Sequence, residues 1–567
     1  VRLRRYVMFL LKEKRKAGIY LSIAQAYRDP VTKKSKRKRI RNLGYLKDLQ
    51  KEYDDPIAHF TEVAEKMTTE YKNSNGVIEI NINFSEKINS DYHHSKSFGY
   101  VALSSVYHSL KINQFFDNRQ ASYGADYRLN QVMKLLTFGE ILYPGALSYT
   151  YSIRHRFFEG CDYSLEDVYD FFTFLTQYRA QFKSWTNESI CNTMRRNTDT
   201  VFYYTTTHYF EVDYDKWYEA KKDTGVPRPN PLVQMGLFVD KNRIPITYNL
   251  FKGIPGDIPV MGPIFERARS EFNMHRIIIV ANHRGSGYNY LYRILKSGHG
   301  YIVHHNVRDI DEATQKYLLN DEGYRFLGNG RKIKSRILTQ TIRVKNKYGE
   351  KEFIRIKEKQ VFIFDDSYSR WETATRESIL LMGKDLISAN RNVSGYTGHN
   401  HPFDINQSML MKEEILDGYY MFSTSELEMD DEEIINAYED LWEVDELFKE
   451  KKNDYSGRPS ELSWENHLSS FFMIRYAALI ITRIIEHKTG LQYQKPSIIR
   501  SLKKCMTVNI GQNIFMTTYT DETLKRIGDA LNIDFAKRYR TRQEIRSILN
   551  LTKLTDFDQH SIDSETP

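Results

Sequence analysis

Hydrophobic positions recur at two different spacings along this chain of 567 residues, and the changes of spacing divide it. Over residues 18–27, GIYLSIAQAY alternates as a half-buried strand does, and Asp29, Pro30 and Thr32 then supply turn chemistry before KKSKRKRIR. A β-hairpin is therefore expected within residues 1–60. From 61 to 198 the spacing is helical: apolar residues in FGYVALSSVYHSL and LNQVMKLLTFGEIL recur at three and four. Ser164 followed by Asp167 has the form of a capping box, with Asp in place of the usual Glu, and opens a further helix through FFTFLTQY.

After residue 199 strands return. VFYYTTTHYFEVD, PLVQMGLFVD and RIPITYNLF are β-rich runs separated by turn residues and predict an antiparallel meander. A helix over 259–272 follows, then RIIIVAN, a short apolar run of the kind that forms a buried strand, then another helix and GYIVHH. Three antiparallel strands followed by alternating helix and parallel strand is the order of a ribonuclease H-like α/β core, here begun at 199–324. Strand candidates IRVKNKYGEKEFIRI and KQVFIFDD, with a helix through RWETATRESILLMG, make 325–430 a β-rich insertion. The core would close with helices at 431–490, leaving 491–567 as a C-terminal region.

Composition supports a folded chain of two to four domains: 41% of residues are hydrophobic and 13% aromatic. The three cysteines, Cys161, Cys191 and Cys505, form no CxxC pair, which argues against a disulfide framework or a zinc site. The longest apolar run, 467–487, contains Arg475, Arg483 and Glu486 and is expected to be a buried core helix; YVMFLL is too short and too closely flanked by charge for a span. No membrane segment is expected, and a cytoplasmic location follows. Charge is unevenly placed. Residues 1–51 hold 17 Lys and Arg against 3 Asp and Glu, a balance of +14 within a total of +9. Lys33, Lys34, Lys36, Arg37, Lys38, Arg39 and Arg41 suit phosphate neutralisation on double-stranded DNA, the alternative being a solvated basic loop. The helices after them could form a DNA-binding layer or simply pack on the core.

The segment DEEIINAYEDLWEVDELFKEKKNDYSGRP, 431–459, carries the candidate chemistry. Offsets of three, seven and fourteen return to nearly one helical face, so Tyr438, Leu441, Asp445 and Lys452 share a stripe. Ile434, Ala437, Leu441, Val444 and Phe448 form an apolar seam beside it. The stripe resembles the Y-x2-R-x3-E-x6-K signature of the insertion-sequence-four superfamily of DDE transposases. Tyr438 and Lys452 match it, Leu441 stands where Arg is usual and Asp445 where the catalytic Glu is usual. AYRDPVTKKSKRKRIRNLGYL, EYDDPIAHF, YFEVD, PRPNPLVQMGLF and YIVHHNVRD extend the resemblance over most of the chain.

That resemblance implies cutting and joining of DNA at terminal inverted repeats, by a homodimer, with three carboxylates holding two Mg²⁺ or Mn²⁺ ions. The first family Asp falls on Tyr204, within YYTTTHYFE, and the second on Asn282, within IIIVANHRGSG. A neutral phenol is a poor ligand for a hard cation, and an amide brings no negative charge. Asp445, and weakly Asn282, remain as metal-ligand candidates, with Glu211 and Asp213 as conceivable substitutes. Lys452 and Arg458 could touch phosphate, as could Tyr438. Two expectations of different class stay open: an enzyme with an altered site, or a catalytically decayed protein that only occupies DNA ends, as a relic or repressor of related elements.

Overall fold

The computed structural model describes residues 8–15, 18–28, 35–53, 55–73, 85, 87, 95–209, 232–252, 262–282, 287–345, 349–388, 407–448, 464–491, 495–511 and 513–553. The chain forms two compact units. One comprises Val1–His94 with Val508–Met516 and Tyr539–Gln543; the other holds the remainder.

In the first unit, β1 (Met8–Arg15), β2 (Gly18–Arg28) and β3 (Ser35–Tyr45) form an antiparallel sheet in that order. The expected hairpin is β2 and β3, and the apolar run before it supplies a third strand. Helix α1 (Pro56–Asn73) covers one face, where Met8, Ile23 and Ala64 bury together against Leu43, Val63 and Met67. Two anchors fix this helix. Asp55 accepts from the amides of Ile57 and Ala58, capping its first turn, and the Thr68 hydroxyl accepts from the Met8 amide at 2.9 Å.

The second unit opens with helices α2 (Tyr100–Ser109), α3 (Ile112–Tyr123), α4 (Leu129–Leu142) and α5 (Leu165–Met194). The capping box is formed. The Asp167 amide donates to the Ser164 hydroxyl at 3.1 Å, and the Ser164 amide donates back to the Asp167 carboxylate.

A nine-stranded sheet follows. Strands β4 (Thr200–Tyr209), β5 (Leu232–Val239) and β6 (Pro245–Lys252) make the antiparallel meander. After α6 (Gly262–Phe272), β7 (Arg276–Asn282) runs parallel to β4, and after α7 (Tyr288–Lys296), β8 (Gly300–His305) runs parallel to β7. The order across this half is β6-β5-β4-β7-β8. Period-two alternation assigns its two faces. Val201, Tyr203, Ile277, Ile279, Tyr301 and Val303 point to one face and bury under Phe265 and Phe272 of α6 and Leu291 and Ile294 of α7. The Tyr203 ring lies across Gly236 so closely that a Cβ there would fall 1.9 Å from its hydroxyl, which explains a glycine in a central strand.

The segment expected to be a β-rich insertion adds strands to this same sheet. β9 (Arg325–Gly328), β10 (Arg331–Lys345), β11 (Lys351–Asp365) and β12 (Tyr419–Thr424) continue it antiparallel from β8 in the order β8-β12-β11-β10-β9. Helix α8 (Asp366–Ser388) is tied down through Arg376, whose guanidinium pairs with the buried Asp417 carboxylate. Helix α9 (Asp431–Phe448) lies on the face away from α6 and α7, against β4, β7 and β8. Helix α10 (Trp464–Lys488) packs on α5, α4 and α2. Its stretch Leu468–Lys488 is long and apolar enough to cross a membrane, yet 94% of the apolar window is buried within the protein.

Candidate functional site

Four members of the expected seam of α9 are buried, Ile434, Ala437, Leu441 and Val444 each being no more than 5% exposed, and the side chain of Phe448 lies outside the described residues. This fixes which side of the helix meets the sheet. The Tyr438 ring stacks on His304 of β8, centroids 4.8 Å apart and planes 14° apart, and leans on Phe422 of β12 at 4.9 Å. His304 is in turn the register partner of Asn282, the last residue of β7. The neighbouring His305 faces the other way and bonds Ser423 at 2.7 Å, so the two histidines do not act as a pair.

Tyr204 sits in the middle of β4, opposite Leu237 of β5 and Val280 of β7, two residues before Asn282. Its position and that of Asn282 thus lie on adjacent strands beneath the helix that carries Asp445. The side chains of Asn282 and Asp445 are outside the described residues, as are Lys452, Arg458, Glu211 and Asp213 altogether. Tyr204 itself is 1% exposed, and its hydroxyl has no hydrogen-bond partner among the described residues. Burial pushes the phenol well above its usual pKa, with the Asp440 carboxylate adding to the effect, so it stays neutral at any physiological pH. A buried neutral phenol does not fit a divalent cation. Among the described residues no three His, Cys, Asp or Glu side chains gather to hold one.

What surrounds the Tyr204 ring is a buried ion network that sequence reasoning missed. Asp440, 2% exposed, takes Nε of Arg243 at 2.9 Å and Nη2 of Arg483 at 3.1 Å. Arg483 also reaches Glu443 at 2.9 Å and Glu486 at 3.0 Å. Three elements are joined this way: the turn between β5 and β6, helix α9 and helix α10. When Asp440 is ionised, three carboxylates face two guanidiniums, with the amine of Lys495 nearby as a further cation. Burial pushes the Asp440 carboxyl up to about 7, against the pull of Arg483 and Arg243. Beside it, Arg196 pairs with the buried Asp240 at 2.8 Å, while the Ile244 amide donates to the same carboxylate. The signal for Asp440 was present in the sequence. It lies three residues after Ala437 and four before Val444, inside the apolar seam, where a carboxylate needs a buried partner.

In the first unit, Arg37, Lys38, Arg39 and Arg41 lie exposed along β3. Lys36 is in the strand with its side chain outside the described residues, and Lys33 and Lys34 fall outside them entirely.

Residues 11–77 match the family model for the IS1634 family transposase, N-terminal domain. No curated protein matches the chain. Among solved structures, the chain is similar at 7% identity and a TM-score of 0.30 to the piggyBac transposase in a cryo-EM structure of its synaptic complex with hairpin DNA, over 82% of this chain and 88% of that one. The match over residues 11–77 makes the chain transposase-like in the region that carries its basic strands.

Proposed function

We propose that this is a transposase-like protein that binds duplex DNA ends through its basic N-terminal sheet and has lost the metal-dependent cleavage such ends would undergo. The observation that carries the reading is Tyr204: a buried, neutral phenol, without a hydrogen-bond partner among the described residues, at the position where a metal-holding carboxylate is expected. The strand order β6-β5-β4-β7-β8, with only β5 antiparallel to both of its neighbours, supports a ribonuclease H-like core. The match to a transposase N-terminal domain supports DNA as the partner. On this reading the substrate is the terminal inverted repeat of a related element, held by two copies of the chain, and the protein acts in the cytoplasm at the nucleoid. Each copy would occupy an end without a divalent ion, since the buried neutral phenol of Tyr204 offers no anionic oxygen to hold one.

A plasmid cleavage and strand-transfer assay in Mg²⁺ and in Mn²⁺ tests this, run beside gel-shift binding to DNA ends. The unaltered chain is expected to bind and not to cut. The triple variant Tyr204→Asp, Asn282→Asp, Asp445→Glu is expected to gain nicking. Cleavage by the unaltered chain that disappears in Asp445→Ala would sink the proposal and establish a working altered site, with Glu211 and Asp213 the next positions to change.

A further inference from the structure

The basic side chains of the N-terminal sheet are not equivalent, because register divides them between its faces. Met8 and Ile23 point to α1. By period-two alternation, Phe9, Glu13 and Arg15 of β1 and Tyr20 and Ala24 of β2 point away from it. Arg39 pairs with Ala24 and Arg37 with Ala26, so both emerge on that outer face, whereas Lys38 and Arg41, opposite Gln25 and Ile23, emerge on the helix side. The placement agrees with the contacts. The Arg37 guanidinium lies over the Phe9 ring at 6.0 Å, and that of Arg15 over the Tyr20 ring at 3.9 Å, which meets Tyr45 edge-on at 5.1 Å.

One acid stands among them. The Glu13 carboxylate accepts from Nη2 of Arg39 with both oxygens and from Nη2 of Arg15 at 3.0 Å. A carboxylate between two guanidiniums presents a pair of anionic oxygens much as a phosphodiester does. The pairing is solvent-exposed, with side-chain exposures of 46% for Arg39 and 29% for Glu13, and an ion pair of that kind is weak and easily exchanged. It still restricts two long side chains that would otherwise lose their freedom on binding. We propose that Glu13 is an internal stand-in for a DNA phosphate, which holds Arg15 and Arg39 in place on the outer face and is displaced when a duplex backbone docks there. The acid lowers affinity for any polyanion while keeping the arginines arranged for one, a device that would favour release of DNA that makes few other contacts.

The proposal rests on the DNA-contact reading above, and a double-variant cycle distinguishes the two. Binding of a labelled duplex to the full chain is followed by fluorescence anisotropy over a KCl series, for the parent, Glu13→Gln, Arg39→Gln and the pair. Each phosphate contact contributes about 0.9 to the slope of log affinity against log salt. Glu13→Gln is expected to tighten binding several-fold at low salt. Arg39→Gln is expected to weaken binding only a few-fold in the parent, because its loss also frees the site from a pair that had to break, but about tenfold in the Glu13→Gln background, with the slope falling by about one. Equal losses in the two backgrounds, or unchanged binding in Glu13→Gln, overturn the stand-in while leaving DNA binding intact. No binding by any of the four overturns both readings. Glu13 touches no core group, so thermal melting of the variants should match the parent, and that confirms each is folded.

Discussion

At the scale of single residues, Tyr204 and Asp440 are the two positions where local chemistry departs from what their elements require. A strand in the centre of a sheet needs only an apolar side chain of fitting volume at position 204, and the phenol ring supplies that. Its hydroxyl, buried and without a partner among the described residues, is a liability worth about 1 kcal/mol by the usual desolvation of such a group. Tyr204→Phe is therefore expected to leave stability unchanged or raise it by about that amount in urea unfolding, and to leave DNA binding unaltered. A loss of several kcal/mol on the same change would show a hydroxyl engaged with a partner and would remove the main ground for calling the position vacated.

At the scale of elements, the question is what holds α9 on the sheet. Its apolar seam does most of this, and the seam was legible from spacing alone. The Asp440 network adds a pH-dependent part. Its carboxyl, raised by burial from the ordinary value near 4 to about 7, keeps a proton in the folded protein that the unfolded chain has released. The stability tied to that proton is complete at low pH, declines as pH rises from about 4, and is lost above about 7. Asp440→Asn should flatten this decline, so variant stability relative to parent should improve with rising pH across the window. His108, buried and held down to about 3, acts in the opposite sense, since its stabilisation is lost as pH falls. Only the difference between variant and parent in parallel denaturation series therefore reports on Asp440. A difference that stays constant with pH would mean the carboxyl is ionised throughout. Other elements followed their local signals closely. The helix opened by Ser164 begins where the capping box places it, and the strands at 276–282 and 300–305 are the apolar runs RIIIVAN and GYIVHH. Met8–Leu11 of the N-terminal apolar run, excluded as a membrane span by its flanking charge, open β1.

At the scale of the whole molecule, the sheet of nine strands places a β-rich segment of about a hundred residues in continuity with the strands that carry the candidate site. The two halves of the sheet therefore form one hydrogen-bonded platform, and a divalent cation that bound at that site would stabilise the folded state as any ligand does. Millimolar Mg²⁺ or Mn²⁺ is expected to leave the melting temperature of the parent unchanged and to raise that of the triple variant Tyr204→Asp, Asn282→Asp, Asp445→Glu. A cation-dependent rise in the parent that vanishes in Asp445→Ala would mean that other acids serve the site.

The sequence by itself determined the order of elements, the buried face of α9 and the basic character of the first strands. These are local properties: period, capping, charge density and spacing are written in neighbouring residues. The tertiary structure alone decided that the inserted strands join the core sheet, that Asp440 meets Arg243 and Arg483, and that Glu13 sits between Arg15 and Arg39. Each of these joins residues from separate elements, and for the charged groups the outcome turned on burial and on a few ångströms of distance. A sequence shows which charges exist, but the free energy of a charge depends on the neighbours and the solvent that folding gives it.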